Sequence, residues 1–320
     1  MSDKIQTIKS IIFGLAVADA LGVPVEFCCR ESLDRNPVTT MLDYGTHMQP
    51  IGTWSDDTSM TLATLDSLRS GIDYEDIMRK FVSWYEDGKY TATGNRFDIG
   101  ATAGQAILNY LIDECSALDC GCGYADSNGN GSLMRVSPMV LYLFYKNSSL
   151  PVTNKLKHIH SISALTHAHR RSMIGCGIYY FVLTELLSAN QFNNITDYRQ
   201  LIYTGLNKAK SVYKNESELI NYKRLLTSDI ESIPRNAIKS SGYIVDTLEA
   251  AIWCVMTTDN YRDCVLKAVN LGEDTDTVAA VAGSLAGLIH GYNNIPQEWL
   301  EVLKKVDYLH EICEEVGNNW

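Results

Sequence analysis

Proline is scarce in this 320-residue chain, with only seven, and runs that alternate β-branched and polar residues are nearly absent. A half-buried strand needs a period of two, so this shortage argues against a sheet protein. Basic charge is also short: 27 Lys and Arg face 38 Asp and Glu, for a net charge of −11. That balance argues against a general nucleic-acid binder, whose affinity rests on a basic footprint. An anionic small ligand stays open, because it needs only local donors. No stretch reaches the roughly 18 uninterrupted apolar residues of a membrane span. Nine cysteines are present, but none lies at CxxC spacing. No histidine stands at zinc-ligand distance from the close pairs Cys28-Cys29 and Cys120-Gly121-Cys122. The expectation is reduced, partly buried thiols in a cytoplasmic protein.

What the chain has in quantity is helical period. Lys4 and Lys9 precede the apolar run 11–18 in the manner of a signal peptide. Asp19 interrupts that run, and Pro24-Val25-Glu26 follows without a small-residue cleavage site, so a buried helix ending near Gly22 is expected. Further helices are expected over 56–68, 73–88 with Asp73 as N-cap, 99–112, 133–145, 153–165, 169–187, 197–213, 216–226, 243–256, 261–270, 274–290 and 297–316. Small residues run through two of them, from Gly14 to Ala20 and from Ala279 to Gly287. Glycine costs about 1 kcal/mol inside a helix, so such runs point to closely approaching axes. The fold class is all-α, a single multi-helix domain over 1–320. The polar stretch 188–215 is the most loop-like part, expected as a peripheral hairpin.

Two acidic clusters stand at helix starts: Gly52-Thr53-Trp54-Ser55-Asp56-Asp57-Thr58 and Gly272-Glu273-Asp274-Thr275-Asp276-Thr277. Capping explains part of this, since Ser, Thr and Asp satisfy free N–H groups and Asp suits the positive dipole end. One cap needs one such side chain. Each start here holds two or three carboxylates with flanking hydroxyls, and like charges repel unless neutralised. Hard divalent cations prefer carboxylate, hydroxyl and water oxygens. Ions held between two such walls would bind substrate hydroxyls and orient water. A two-metal prenyl or terpene synthase is a poor match, because its acidic DDxxD motif would need a carboxylate where Met60 stands.

A third feature is Asn128-Gly129-Asn130-Gly131-Ser132-Leu133-Met134-Arg135, a glycine-rich turn that lacks the Lys-Ser/Thr of a phosphate-binding Walker loop. Its backbone N–H groups suit an anion; a plain helix-start turn fits equally well. In Thr166-His167-Ala168-His169 the two histidines do not share a helix face. His167 fits a ligand hydrogen bond or a structural role.

Taken in order, these stretches resemble the ADP-ribosylglycohydrolase family. The match runs from Gly14-Leu15-Ala16-Val17-Ala18-Asp19-Ala20-Leu21-Gly22-Val23-Pro24-Val25-Glu26-Phe27 through Trp54–Thr58, Phe97-Asp98-Ile99-Gly100, Gly129–Arg135 and Thr166-His167. It continues through Ser241-Gly242-Tyr243-Ile244-Val245-Asp246-Thr247-Leu248-Glu249-Ala250-Ala251 to Gly272–Thr277. The resemblance implies an all-α fold with two divalent cations, Mg²⁺ or Mn²⁺. It implies Ser55, Asp56, Asp57, Asp274, Asp276 and Thr277 as metal ligands. It implies Asn130, Gly131, Ser132, Met134 and Arg135 toward the diphosphate and distal ribose, Tyr243 on the adenosine side and His167 at the ribose–phosphate region. Glu26 matches an acidic residue that gates the metal centre in some members. Asp98 matches a carboxylate proposed as acid or base in arginine-specific members.

The activity so implied is hydrolysis of the glycosidic bond between ADP-ribose and a modified side chain of the arginine type, or of a related ADP-ribosyl compound. The partner is an ADP-ribosylated protein or ADP-ribosyl small molecule, with no general nucleic-acid binding and no membrane, and the protein acts as a monomer. Two departures stand out. Glu273 replaces a second glycine and threatens to crowd the metal or ligand, and His169-Arg170 replaces a usual His-Pro step. The alternative is a catalytically weak ADP-ribose binder or crystallin-like relative.

Overall fold

The computed structural model describes residues 3–113, 115–190 and 197–320. Fifteen α-helices occur among them, and no strand; three isolated bridges are the only β pairing. In chain order the helices are α1 Asp3–Gly22, α2 Arg30–Arg35, α3 Asp56–Ser67, α4 Tyr74–Asp87, α5 Ala101–Ile112, α6 Ser137–Tyr145, α7 Val152–Ala164 and α8 Arg170–Asn190. They continue as α9 Tyr198–Val212, α10 Lys223–Thr227, α11 Ile244–Met256, α12 Tyr261–Val269, α13 Thr275–His290, α14 Gln297–Val302 and α15 Val306–Asn319.

α1 and α13 form the central pair because both are apolar or small nearly all round, which suits full burial. Every α1 residue from Thr7 to Gly22 is buried. The two axes approach closely where glycines face each other. A Cβ on Gly14 would fall inside the contact radius of the Gly283 carbonyl oxygen. The apolar stretch from Asp3 to Val25 and α8 are both long and apolar enough to cross a membrane by composition; the apolar part of the first is wholly buried inside the protein and that of the second largely so. α4 is the opposite type, with Ile77, Met78, Phe81 and Trp84 inward and its charged face outward.

The helix map departs from the sequence pattern at three of the expected helices. The helix expected over 133–145 begins only at Ser137. Leu133 and Met134 instead turn back to donate to the Asn130 carbonyl at 2.8 and 3.2 Å. The span 297–316 divides into α14 and α15 at Lys305, which is left-handed with φ 45°. There Lys304 N–H reaches the Gly52 carbonyl at 2.9 Å and the Lys305 ammonium reaches that of Thr91 at 2.6 Å. The span 216–226 is a 3₁₀ turn, Ser217–Tyr222, leading into the short α10. Within the polar stretch 188–215, α9 is the helix expected over 197–213, packed along α8, and residues 191–196 lie outside the described part. All nine cysteines are free, and six are buried.

Candidate active site

The start of α3 is set by a residue of α1. Asp19 is fully buried, and its carboxylate accepts the N–H of Ser55 at 2.9 Å, the N–H of Thr58 at 3.0 Å and the Thr58 hydroxyl at 2.6 Å. Ser55 still acts as the N-cap, accepting from the Asp57 N–H at 3.3 Å. Because Asp19 and Ser55 already serve these N–H groups, the carboxylates of Asp56 and Asp57 are free to project away from the helix end.

The start of α13 is set by α1 and the loop after it. Gly22 passes so close to Asp276 that a Cβ there would collide with the Asp276 backbone. Thr275 donates its hydroxyl to the Gly22 carbonyl at 2.8 Å. Phe27 and Glu273 clasp each other's segments: Phe27 N–H donates to Glu273 O at 2.6 Å, and Glu273 N–H donates to Cys28 O at 2.8 Å. Both residues are left-handed, with φ 63°. That conformation costs a non-glycine residue roughly 1–2 kcal/mol. The Glu273 side chain is exposed and lies outside the cavity described below, so it does not crowd the site.

The two helix starts meet. The Thr277 and Ser55 hydroxyls both donate to Asp57 Oδ2 at 3.2 Å. Carboxylate oxygens of Glu26, Asp274 and Asp276 lie within 4.8 Å of one another. Asp57 Oδ1, Asp274 Oδ1 and Asp276 Oδ2 are buried, with no hydrogen-bond partner among the described residues. Burial pushes the carboxyls of Asp56, Asp57 and Asp276 well above the ordinary range. Repulsion adds to this, from Asp98 on Asp56, from Asp19 on Asp57 and from Glu26 on Asp276. Asp274 is raised by burial as well. A cluster with this much uncompensated negative charge and this many unused oxygens fits hard divalent cations. The donor set is all oxygen, with no thiolate or imidazole in the Glu26–Asp274–Asp276 group.

A cavity of about 330 Å³ opens over this cluster. Of the residues singled out in sequence, Glu26, Asp56, Asp98, Asn130, Gly131, Met134, His167, Asp274 and Thr277 line it. Ser55, Asp57 and Asp276 sit behind its acidic floor. Asn130 ties the glycine loop to that floor, donating from its amide to Thr247 Oγ1 at 2.8 Å and to Asp274 Oδ2 at 2.9 Å. Asn130 N–H also donates to the Gly242 carbonyl at 3.0 Å.

Three residues expected at the ligand are not among those that line the cavity. Ser132 is buried among Ser163, at 3.0 Å, and Cys176. Arg135 is 0% exposed, under the Phe81 ring, and donates to the Ile162 carbonyl and to Thr166 Oγ1 at 2.7 Å. Both side chains lie in the protein interior, on the turn that precedes α6. Tyr243 stands beside the cavity-lining Gly242, its ring below the Arg171 guanidinium at 5.7 Å.

Arg135 nevertheless acts on the cavity through His167. Thr166 Oγ1 accepts from Arg135 and lies 2.8 Å from His167 Nδ1. That hydroxyl and Nδ1 share one hydrogen bond, and the other ring nitrogen, Nε2, faces Gly129 and Gly131. Burial, and then Arg135, holds His167 down to about 3, so the ring is neutral.

The sequence reading passed over His47. It comes from the loop after α2, and its Nε2 pairs with Glu26 Oε2. Its ring packs against Phe97 at 5.1 Å and Phe27 at 6.0 Å. Burial raises Glu26 to about 7 against the pull of His47, with Asp98 and Asp274 adding repulsion. Nothing in the local pattern Tyr44-Gly45-Thr46-His47 signals this. Asp19 was detectable, as a charge inside a buried apolar run.

An all-α scaffold with an oxygen-lined acidic cage at two helix starts defines a class of proteins whose carboxylates could hold metal ions. Comparison with known proteins narrows that class. The family model described as ADP-ribosylglycohydrolase matches residues 1–320, and the chain belongs to that family. It is 32% identical over 318 residues to the ADP-ribosylarginine hydrolase Tri1 of Serratia proteamaculans (strain 568), covering 98% of this chain and 80% of that one. It is 28% identical to the ADP-ribosyl-[dinitrogen reductase] glycohydrolase of Rhodospirillum rubrum, covering 91% and 87%. A solved structure titled ADP-ribosylglycohydrolase-related protein complex superposes with a TM-score of 0.80 at 26% identity, covering 99% of both chains.

Proposed function

We propose that this protein hydrolyses the bond between ribose C1″ of an ADP-ribosyl group and an arginine side chain of a modified protein. The observation that carries the reading is the joining of Asp57 and Thr277 across 220 positions into one cage with three unpartnered carboxylate oxygens. Family membership and the names of the two relatives support it. Ser55, Asp56, Asp57, Asp274, Asp276 and Thr277 would hold two cations, Mg²⁺ or Mn²⁺. When bound, such ions lower the pKa of a water and engage vicinal hydroxyls.

The chain's own groups do the rest. Glycosidic cleavage passes through an oxocarbenium-like state and asks for carboxyl groups near the breaking bond. Glu26 and Asp98 face the cavity above the acidic floor. Glu26 lines the cavity and is placed to give a proton to the leaving guanidine. Asp98 is in place to take one from water. The glycine loop exposes backbone instead of side chains, which lets a diphosphate approach closely. Neutral His167 presents Nε2 on the same wall. In this reading the whole chain acts as one domain and as a monomer in the cytoplasm, where free thiols stay reduced.

The test is release of ADP-ribose from synthetic ADP-ribosylarginine by the purified protein, with and without EDTA. Turnover is expected, lost on chelation and restored by Mg²⁺ or Mn²⁺. Full activity in EDTA would reject the cation-dependent mechanism. Calorimetric binding of ADP-ribose without any turnover would establish the weak-binder alternative instead.

A further inference from the structure

We infer that the Phe27 ring is the platform on which the arginine guanidinium of the substrate lies, and that it thereby selects arginine linkages. The inference rests on the hydrolase reading above. Phe27 lines the cavity directly beside Glu26, at the acidic end where the bond would break. Its side chain is 69% exposed, so hydrophobic burial does not explain it. Its backbone is left-handed, a conformation that glycine adopts freely and phenylalanine does not. Two short backbone hydrogen bonds to the Glu273 turn hold it there. An exposed aromatic ring kept in an unfavourable conformation at a cavity mouth is a feature to be explained by function.

The surroundings specify the ligand chemistry. Phe27, His47 and Phe97 stand in a row with centroids 6.0 and 5.1 Å apart, which steadies the outermost ring. The carboxylates of Glu26 and Asp98 line the same cavity. An aromatic face beside carboxylates suits a planar, weakly hydrated cation, and guanidinium stacks on such faces. A seryl oxygen has neither the charge nor the plane to use this platform. Free ADP-ribose, which carries no guanidinium, serves as the reference ligand.

The experiment compares Phe27→Leu and Phe27→Trp with the wild type, with thermal melts to confirm folding. It reads the ratio of KM for ADP-ribosylarginine to the inhibition constant of ADP-ribose. Phe27→Leu is expected to raise that ratio roughly fivefold to tenfold, and Phe27→Trp to restore it. Equal changes in both constants, or a Trp variant as poor as the Leu variant, would overturn the platform while leaving the hydrolase reading intact. A wild type that turns over no ADP-ribosylarginine would remove both.

Discussion

The start of α4 and the starts of α3 and α13 look alike on paper: Asp73-Tyr74-Glu75-Asp76, Ser55-Asp56-Asp57 and Asp274-Thr275-Asp276 all place carboxylates where a helix begins. In space they are opposites. Asp73 caps α4 from the surface, accepting the Asp76 N–H at 3.1 Å. One turn along, Arg79 and Lys80 reach Asp76 at 3.5 Å, and Lys80 also reaches Asp66 at 3.1 Å. The cage carboxylates are buried, and among the described residues none of Asp56, Asp57, Asp274 and Asp276 is paired with Lys or Arg. An acidic helix start is therefore a cap when solvent and basic neighbours neutralise it. It is a cation site when neither does and the oxygens are left over.

The sharpest way to break this contrast is to remove one carboxylate charge at each kind of start. Asp57→Asn and Asp276→Asn are expected to lower kcat/KM for ADP-ribosylarginine by at least about a hundredfold. Asp73→Asn and Asp76→Asn should stay within about twofold. Comparable losses at α4 would end the distinction.

A second effect concerns pH in cation-free protein. The cage carboxyls have folded values above their unfolded ones, with Asp19 near 6 and Glu26 near 7, burial being the main cause. Between about pH 4 and pH 7 the native state thus binds more protons than the unfolded chain, and stability falls as pH rises. His167, held down to about 3, has the opposite slope below its unfolded value and is common to wild type and variant. Urea unfolding in EDTA should show Asp57→Asn gaining on the wild type as pH rises from 5 to 7.5, since burial holds the Asp57 carboxyl well above its ordinary value. A constant difference would mean that the cage carries no such charge.

Smaller effects separate internal from surface capping. Asp19→Ala removes three hydrogen bonds from the start of α3. It should cost about 3 kcal/mol in denaturant unfolding, because buried N–H groups lose their acceptor. Asp73→Ala should cost about 1 kcal/mol, the usual worth of an exposed cap. Equal losses would show that burial adds nothing to Asp19.

Much of the helical frame was readable because apolar period and small-residue runs report which faces must be buried. α1 and α13 are apolar nearly all round and could only be central. The breaks were not readable. Nothing local at Lys305 announces a left-handed residue, since its reason is a carbonyl at Gly52 and another at Thr91, over two hundred positions away. The site divides in the same way. The cage residues drew notice by concentration, and Gly131 and His167 by their motifs. Arg135 looked like a ligand contact and proved to be a support for His167, because its side chain lies in the protein interior. His47 left no local trace at all.

By itself the sequence determined the helices with strong period, the buried central pair and the presence of two dense acidic starts, because each follows from residue chemistry within a few positions along the chain. Only the tertiary structure decided that those starts share one corner, that α4's start does not, and that Phe27 and His47 stand beside it. Desolvation is a property of what surrounds a group, and most of what surrounds these carboxylates comes from distant parts of the chain.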